Sequence, residues 1–207
     1  DAAHGPGIVP LDLEKLQAAY VTGNAHKWLC TPKGAAFLYV RRDLQDSTRP
    51  TSISHGATSP RTDRSRFLLE FDWPGTMDPT PWFCIPEAIK FMRSLFPGGW
   101  PELRQRNRDL VLAGRRLILD ALGSEAPAPD SMIGSLASVQ VPPGDKDREA
   151  SPLAIDALQD LLFHHDRIEV PVMAWPNPPH RLLRISAQAY NSLPQYARLA
   201  AALPGHL

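Results

Sequence analysis

The chain has 207 residues, 43% hydrophobic and 21% charged, enough for a sizeable core in one large domain or one and a half ordinary ones. Its 22 Lys and Arg balance 22 Asp and Glu, and a net charge of zero leaves no electrostatic footprint for nucleic acid or an anionic membrane. Two cysteines, Cys30 and Cys84, exclude a disulfide framework and are too isolated for a metal site, which points to a reducing, cytoplasmic setting.

No apolar run approaches transmembrane length and no signal peptide is visible. The sequence opens on Asp1 without a Met, and DAAHGPG reads as the loop after a strand that is absent. The chain is therefore expected to be a piece of a longer protein.

In chain order, residues 11–19 (LDLEKLQAA) fit a short helix started by Asp12. Residues 19–22 and 35–40 read as two buried strands bracketing a loop that holds Lys27, the second an unbroken apolar and aromatic run of the kind covered on both faces. Residues 46–66 are rich in Ser, Thr, Arg and Pro and read as a long surface loop. A helical stretch over 81–95 ends at the FPGG stop signal, and residues 100–122 form a long amphipathic helix with Leu103, Leu110, Leu117 and Leu122 on its apolar side.

Beyond a Pro/Ala linker at 123–130, residues 136–141 form a strand, 142–151 a charged turn and 152–164 a helix. Residues 168–174 and 181–186 form an antiparallel pair around WPNPP, and 192–203 a closing helix. There is no internal repeat. The pattern predicts an α/β first part over 1–98 and a smaller α+β domain over 99–207, with the long helix as connector.

The segment TGNAHKW places Lys27 between His26 and Trp28 just after a strand end, with Asp1 and His4 on another strand end upstream. A lysine can form a Schiff base with an aldehyde, and a carboxylate can hold a pyridinium nitrogen protonated, which is the minimum apparatus for pyridoxal 5′-phosphate (PLP). Spacing alone also allows a solvated surface lysine. The wider wording is more specific: DAAHGPG, TGNAHKWLCTPKGAAFLYV, FDWPGTMDPTPW and LLRISAQAYN together resemble the class V aminotransferase branch of PLP-dependent fold type I enzymes, most nearly the isopenicillin N epimerase-like proteins. The resemblance runs from Asp1 almost to the C-terminus and implies the C-terminal part of the large domain, followed by the small α+β domain, with the N-terminal half missing.

On that resemblance Lys27 is the catalytic Schiff-base lysine and later the base at the substrate α-carbon. Asp1 lies under the pyridine nitrogen, and His4 contacts the phenolic oxygen. Asn24 and His26 contact the phosphate, with Asn24 standing where the desulfurase-like branch has a serine. Gly75 and Thr76 reach the phosphate of a neighbouring subunit, which implies a homodimer with shared sites. Arg184 clamps the substrate carboxylate through its planar fork. Read by themselves, Asp1 also fits a turn cap, His4 a surface loop, Asn24 a turn, the segment Gly75–Asp78 a helix cap, and Arg184 an edge residue.

The implied function is an amino-acid epimerase or aminotransferase. The alternatives are a C–S lyase like hercynylcysteine sulfoxide lyase, or a non-catalytic fragment acting as an interaction module. Desulfurase chemistry is disfavoured because no cysteine follows Cys84. Arg181 is assigned to the surface, His164-His165-Asp166 to helix-end charge rather than a metal, Cys30 to packing, and Trp28, Trp73 and Trp82 to core packing or the site wall.

Overall fold

The computed structural model of the chain describes residues 1–147, 151 and 153–207. Two compact units divide it, Asp1–Ser94 and Leu95–Leu207; the expected boundary at 98/99 lies four residues later than this division.

In the first unit, a short turn-like helix α1 (Gly5–Ile8) precedes strand β1 (Tyr20–Asn24), which pairs antiparallel with β2 (Ala36–Val40). The register sets Gly23 opposite Phe37 and Asn24 opposite Ala36. Both predicted strands are present, but β2 is not covered on both faces: Leu38 and Ala36 are exposed while Val40 is buried. A two-stranded ribbon buries the side that packs and leaves the other open.

The helix expected over 11–19 is absent. Asp12 does start a turn, accepting from Lys15 N–H at 3.1 Å and Leu16 N–H at 3.2 Å. Gln17 then takes φ of 51°, and a non-glycine residue in the left-handed region ends a helix at once. Residues 46–66 are irregular apart from short 3₁₀ turns, yet arginines tie them down: Arg49 pairs with Glu70, Arg64 with Asp72, and Arg66 donates to the Gly56 carbonyl. Those partners belong to a helix missed in sequence, α2 (Arg66–Phe71), capped by Ser65 Oγ accepting from Leu68 N–H at 3.2 Å, or to its C-cap Asp72, and the carbonyl lies in a turn packed against it. Two further helices follow, α3 (Thr80–Phe83) and α4 (Ile85–Ser94).

In the second unit, α5 (Gly99–Leu122) realises the predicted long helix and stops at Gly123 in the left-handed conformation. It is a core element of this unit, with Val111 and Ile118 fully buried. Strand β3 (Leu136–Val141), helix α6 (Ala157–His164), strands β4 (Val172–Ala174) and β5 (Arg181–Ser186), and helix α7 (Leu193–Ala202) complete it. The sheet order is β3-β5-β4, all antiparallel. Of the expected 152–164 helix, residues 153–156 lie before the observed start, and Pro152, with part of the charged turn at 148–150, lies outside the described residues.

Strand parity builds the core. Ala137, Val139 and Val141 of β3 lie opposite Ile185, Leu183 and Arg181 of β5, and their apolar members are buried against Leu158, Leu162 and Leu199. Arg181 thus sits on the core side and is not the surface residue expected. Its Nη1 donates to Asp156 Oδ1 at 2.7 Å, both side chains nearly buried, and Asp156 also caps α6 by accepting from Leu158 N–H at 2.9 Å. Arg115, on the expected polar side of α5, is likewise buried and paired with Asp130.

Helices α5 and α7 meet at Gly114, where a Cβ would lie 2.6 Å from the Tyr196 ring. That ring is pinned because its hydroxyl donates to the Ser186 carbonyl at 2.5 Å. Gly114→Ala therefore gains roughly 1 kcal/mol of helix propensity but incurs about 1–3 kcal/mol of overpacking. A net loss, read as a lower urea midpoint with unchanged slope, is expected; an unchanged or raised midpoint would show that α7 yields.

Candidate functional site

The loop between β1 and β2 is closed at its base. Ala25 and His26 N–H both donate to the Ala35 carbonyl, at 3.0 and 3.3 Å, and Ala25 and Ala35 are buried. A tightly stapled base leaves the middle of the loop to project, and Lys27 is exposed there. The N-terminal segment lies alongside β1 through Ala2 N–H donating to the Thr22 carbonyl at 2.8 Å.

Two glycines allow this approach. A Cβ on Gly23 would stand 2.6 Å from the Phe37 ring and 3.2 Å from the Ala2 carbonyl oxygen, and one on Gly7, at φ 93°, would stand 2.8 Å from the Trp28 carbonyl oxygen. Glycine is the residue that tolerates both the contact and the dihedral.

The result joins the two sequence motifs. The Trp28 indole Nε1–H donates to His4 Nδ1 at 3.0 Å, and His4 Nε2 lies 3.4 Å from Lys27 Nζ. Asp1, His4 and Lys27 line one cavity of about 790 Å³, with Leu11, Leu16 and Tyr20 among its apolar lining. That volume falls within the range of small-molecule and cofactor sites. Asp1 Oδ1 accepts from Ala3 N–H at 2.7 Å, so one carboxylate oxygen serves the turn while the residue faces the cavity.

His26 Nδ1–H donates to the Ala35 carbonyl at 2.9 Å, so Nε2 is left to accept from Asn24 Nδ2 at 3.2 Å. Asn24 and His26 therefore satisfy each other, and neither is among the residues lining the cavity. Thr76 is exposed and Gly75 takes φ of 144°; they too are outside that lining. Asp78 Oδ1 accepts from Thr80 N–H at 2.9 Å, and its bonds from Thr80 hold the carboxyl below its usual range; the N-cap position of α3 is Pro79, which makes no side-chain cap bond. Arg184 stands in the second unit on β5, where its Nε is buried and has no hydrogen-bond partner among the described residues.

Sequence reasoning left Trp28 as wall or packing and missed its bond to His4; the two aromatic rings next to the lysine and the upstream acid were the available signal. Trp82 Nε1 donates to the Ala36 carbonyl at 3.3 Å, and Trp73 is exposed. Cys30 is exposed rather than packed, and partial desolvation of its thiol pushes the pKa up, the wrong direction for a nucleophile.

The chemistry of the donor set fits PLP at its reactive end: an amine for the aldehyde, a carboxylate for the pyridine nitrogen and an imidazole for the phenolic oxygen. The phosphate end is not provided by the residues of this cavity.

No family model matches the chain. Isopenicillin N epimerase of Streptomyces clavuligerus is 34% identical over 215 residues, covering 98% of this chain and 51% of that protein. A probable chloroplastic L-cysteine desulfhydrase of Arabidopsis thaliana is 29% identical over 99% of this chain and 43% of its own length. The solved structure of a C-DES mutant with glycine covalently linked to its PLP cofactor superposes with a TM-score of 0.68 at 22% identity, over 98% of this chain and 50% of that one.

The fold is that of the PLP-dependent fold type I enzymes. Within them the chain is homologous to the class V enzymes, and it spans about half the length of the curated relatives it matches. Among the described residues no helix is long and apolar enough to cross a membrane.

A second cluster lies in the other unit. Asp166 Oδ2 accepts from His206 Nε2 at 2.5 Å, and His165 Nδ1 lies 3.3 Å from Asp166 Oδ1. His206 was not connected to the His164-His165-Asp166 run in sequence, being 40 residues away. The three ligand-type atoms lie within 4.8 Å of one another, while Arg198 donates to the Asp166 carbonyl beside them. The bond from His206 is the main cause holding the Asp166 carboxyl below its ordinary range, with His165 adding to it.

A carboxylate depressed in the folded state contributes stability that is complete above its unfolded pKa, near 3.9, and is lost as pH falls through the folded value. Asp166→Asn should therefore flatten the loss of stability below about pH 4 relative to the parent, as read by thermal melts across acid pH. Equal acid slopes for the two proteins would remove Asp166 from the account.

Proposed function

We propose that the protein is a PLP-dependent enzyme acting on an amino acid, most nearly as an isopenicillin N epimerase-like epimerase or aminotransferase. The observation that carries this is the convergence of Asp1, His4 and Lys27 on one cavity, in a chain 34% identical to that epimerase over 98% of its length. When bound, PLP supplies an aldehyde for covalent capture of an amine and an electron sink for charge developing at the substrate α-carbon.

The chain's own residues divide the remaining tasks. Lys27 would hold the cofactor through its amine and would serve as the base that takes a proton from the substrate α-carbon. Asp1 keeps a proton at the pyridine nitrogen. His4 donates to the phenolic oxygen. The buried Nε of Arg184, without a hydrogen-bond partner among the described residues, is suited to an α-carboxylate, because leaving that donor unbonded is costly and a carboxylate can take Nε and a neighbouring Nη together. Asn24 and His26 serve the phosphate by exchanging their mutual bond for it, and Gly75 and Thr76 serve the phosphate of a second subunit in a homodimer.

A C–S lyase is the second reading, supported by the similarity of 99% of the chain to a probable cysteine desulfhydrase. Both begin with proton removal at the α-carbon; they differ in whether a proton returns to that carbon or a β-substituent leaves.

Borohydride reduction of the PLP-loaded full-length protein is expected to label Lys27, and Lys27→Ala should lose the label and lower turnover by at least about 10³-fold. Label on another lysine, or none, defeats the assignment. Screening for racemisation against release of pyruvate and ammonia then separates epimerase from lyase. For the shared site, mixing Lys27→Ala with Thr76→Ala protein should restore activity in heterodimers, and no restoration at any ratio would count against a trans role for Thr76.

A further inference from the structure

We propose that Trp28 is a positioning residue that fixes the tautomer of His4, directing the Nε2–H of that ring toward the Lys27 end of the cavity. The proposal rests on the reading of His4 and Lys27 given above and adds a residue that the reading does not use.

An indole nitrogen can only donate. Its 3.0 Å contact is with His4 Nδ1, so Nδ1 must present a lone pair and the ring proton resides on Nε2. That nitrogen is the one 3.4 Å from Lys27 Nζ, and since an ammonium has donors only, the pair is a hydrogen bond in this tautomer when the lysine nitrogen is unprotonated and accepts. The choice of tautomer therefore decides whether the lysine end of the cavity meets a donor or an acceptor. In the opposite tautomer Nδ1–H and the indole N–H would point at each other, two donors with no acceptor between them, which costs more than the loss of one ordinary hydrogen bond. Catalytic and metal-binding histidines are commonly set in this manner by the partner of their other nitrogen.

The backbone supports the arrangement. Gly7 removes the side chain that would strike the Trp28 carbonyl and Cβ, so the α1 turn packs on the main chain of Trp28, with His4 within reach of its indole N–H. A packing residue needs its ring and not its N–H.

The test begins with the unmutated protein. Nitrogen-15 NMR of histidine-labelled full-length protein, with His4 assigned by its loss in His4→Gln, should show an unprotonated Nδ1 and a protonated Nε2 above the ring's titration range. An Nδ1–H tautomer overturns the proposal, whatever the cofactor does. In Trp28→Phe, which keeps an aromatic ring and removes the donor, the His4 signals should move toward a mixture of tautomers.

The PLP-loaded Trp28→Phe protein should show a displaced pH midpoint for its visible absorption band and a kcat roughly 5–10-fold lower, the scale of one hydrogen bond, with KM little changed. In a His4→Ala background the same substitution should have no further effect, since its action passes through that ring. Full additivity of the two substitutions would leave Trp28 as packing and overturn the proposal. Failure of borohydride to label Lys27 would instead defeat the functional reading, and it would leave the tautomer result standing.

Discussion

The chemistry of the first unit depends on two stretches of backbone lying closer together than side chains would permit. Residues 1–7 and the β1–β2 loop are 15 or more residues apart in sequence, and what joins them is the Ala2-to-Thr22 bond between backbones. Gly7 and Gly23 are the points of close approach: a Cβ on Gly7 would lie 2.8 Å from the Trp28 carbonyl oxygen, and one on Gly23 3.2 Å from the Ala2 carbonyl oxygen. Once that approach is made, the acid, the imidazole and the amine share one cavity without any of them being deeply buried. The order of causes runs from glycine to backbone pairing, and from pairing to the placement of functional groups.

In the second unit a comparable constraint acts through charge. Arg108 donates to the carbonyls of Asp130 and Ile133, and Arg115 to the carbonyl of Ala128 and to the Asp130 carboxylate. These bonds hold the Pro/Ala segment after α5 against the helix it has just left. A flexible linker there would leave β3 free to choose its register, whereas a tethered one delivers Leu136 to the sheet already aligned. Guanidinium groups suit this task because one side chain can satisfy several acceptors at once.

Much of the secondary structure was legible because its signals are local. The 3.6-residue periodicity of α5 and the Gly123 stop, the apolar alternation of β3, and the proline-rich turn before β5 each fall within a few residues of where the structure has them. The failures share a different cause. Residues 11–19 carry a helical pattern, but Gln17 takes a left-handed conformation and ends the turn before a second one can form. His206 meeting Asp166, and Arg49 meeting Glu70, are encounters across 40 and 21 residues that no local pattern encodes.

For the site, Lys27, Asp1 and His4 could be named from wording alone, whereas Trp28 could not. Its role depends on a donor meeting an acceptor 24 residues away, and an aromatic residue beside a lysine looks the same whether its nitrogen is used or idle.

Parity along β5 shows how a correct local inference can lead to a wrong conclusion. Arg181 and Arg184 are three residues apart and so point to opposite sides of the strand. A functional Arg184 on one side implies an Arg181 facing solvent on the other. But Leu183 and Ile185 share the parity of Arg181, and both are buried. The side opposite Arg184 is therefore the core side, and an arginine there must have a buried partner, which Asp156 provides.

Arg184 occupies the other side, opposite Ser138 of β3, and its Nε is buried without an acceptor among the described residues. A buried donor left without an acceptor costs about 1–3 kcal/mol. Of the two arginines, the one with a protein partner is structural. Arg184, whose Nε has no acceptor among the described residues, is the one proposed above to take a carboxylate from outside the chain.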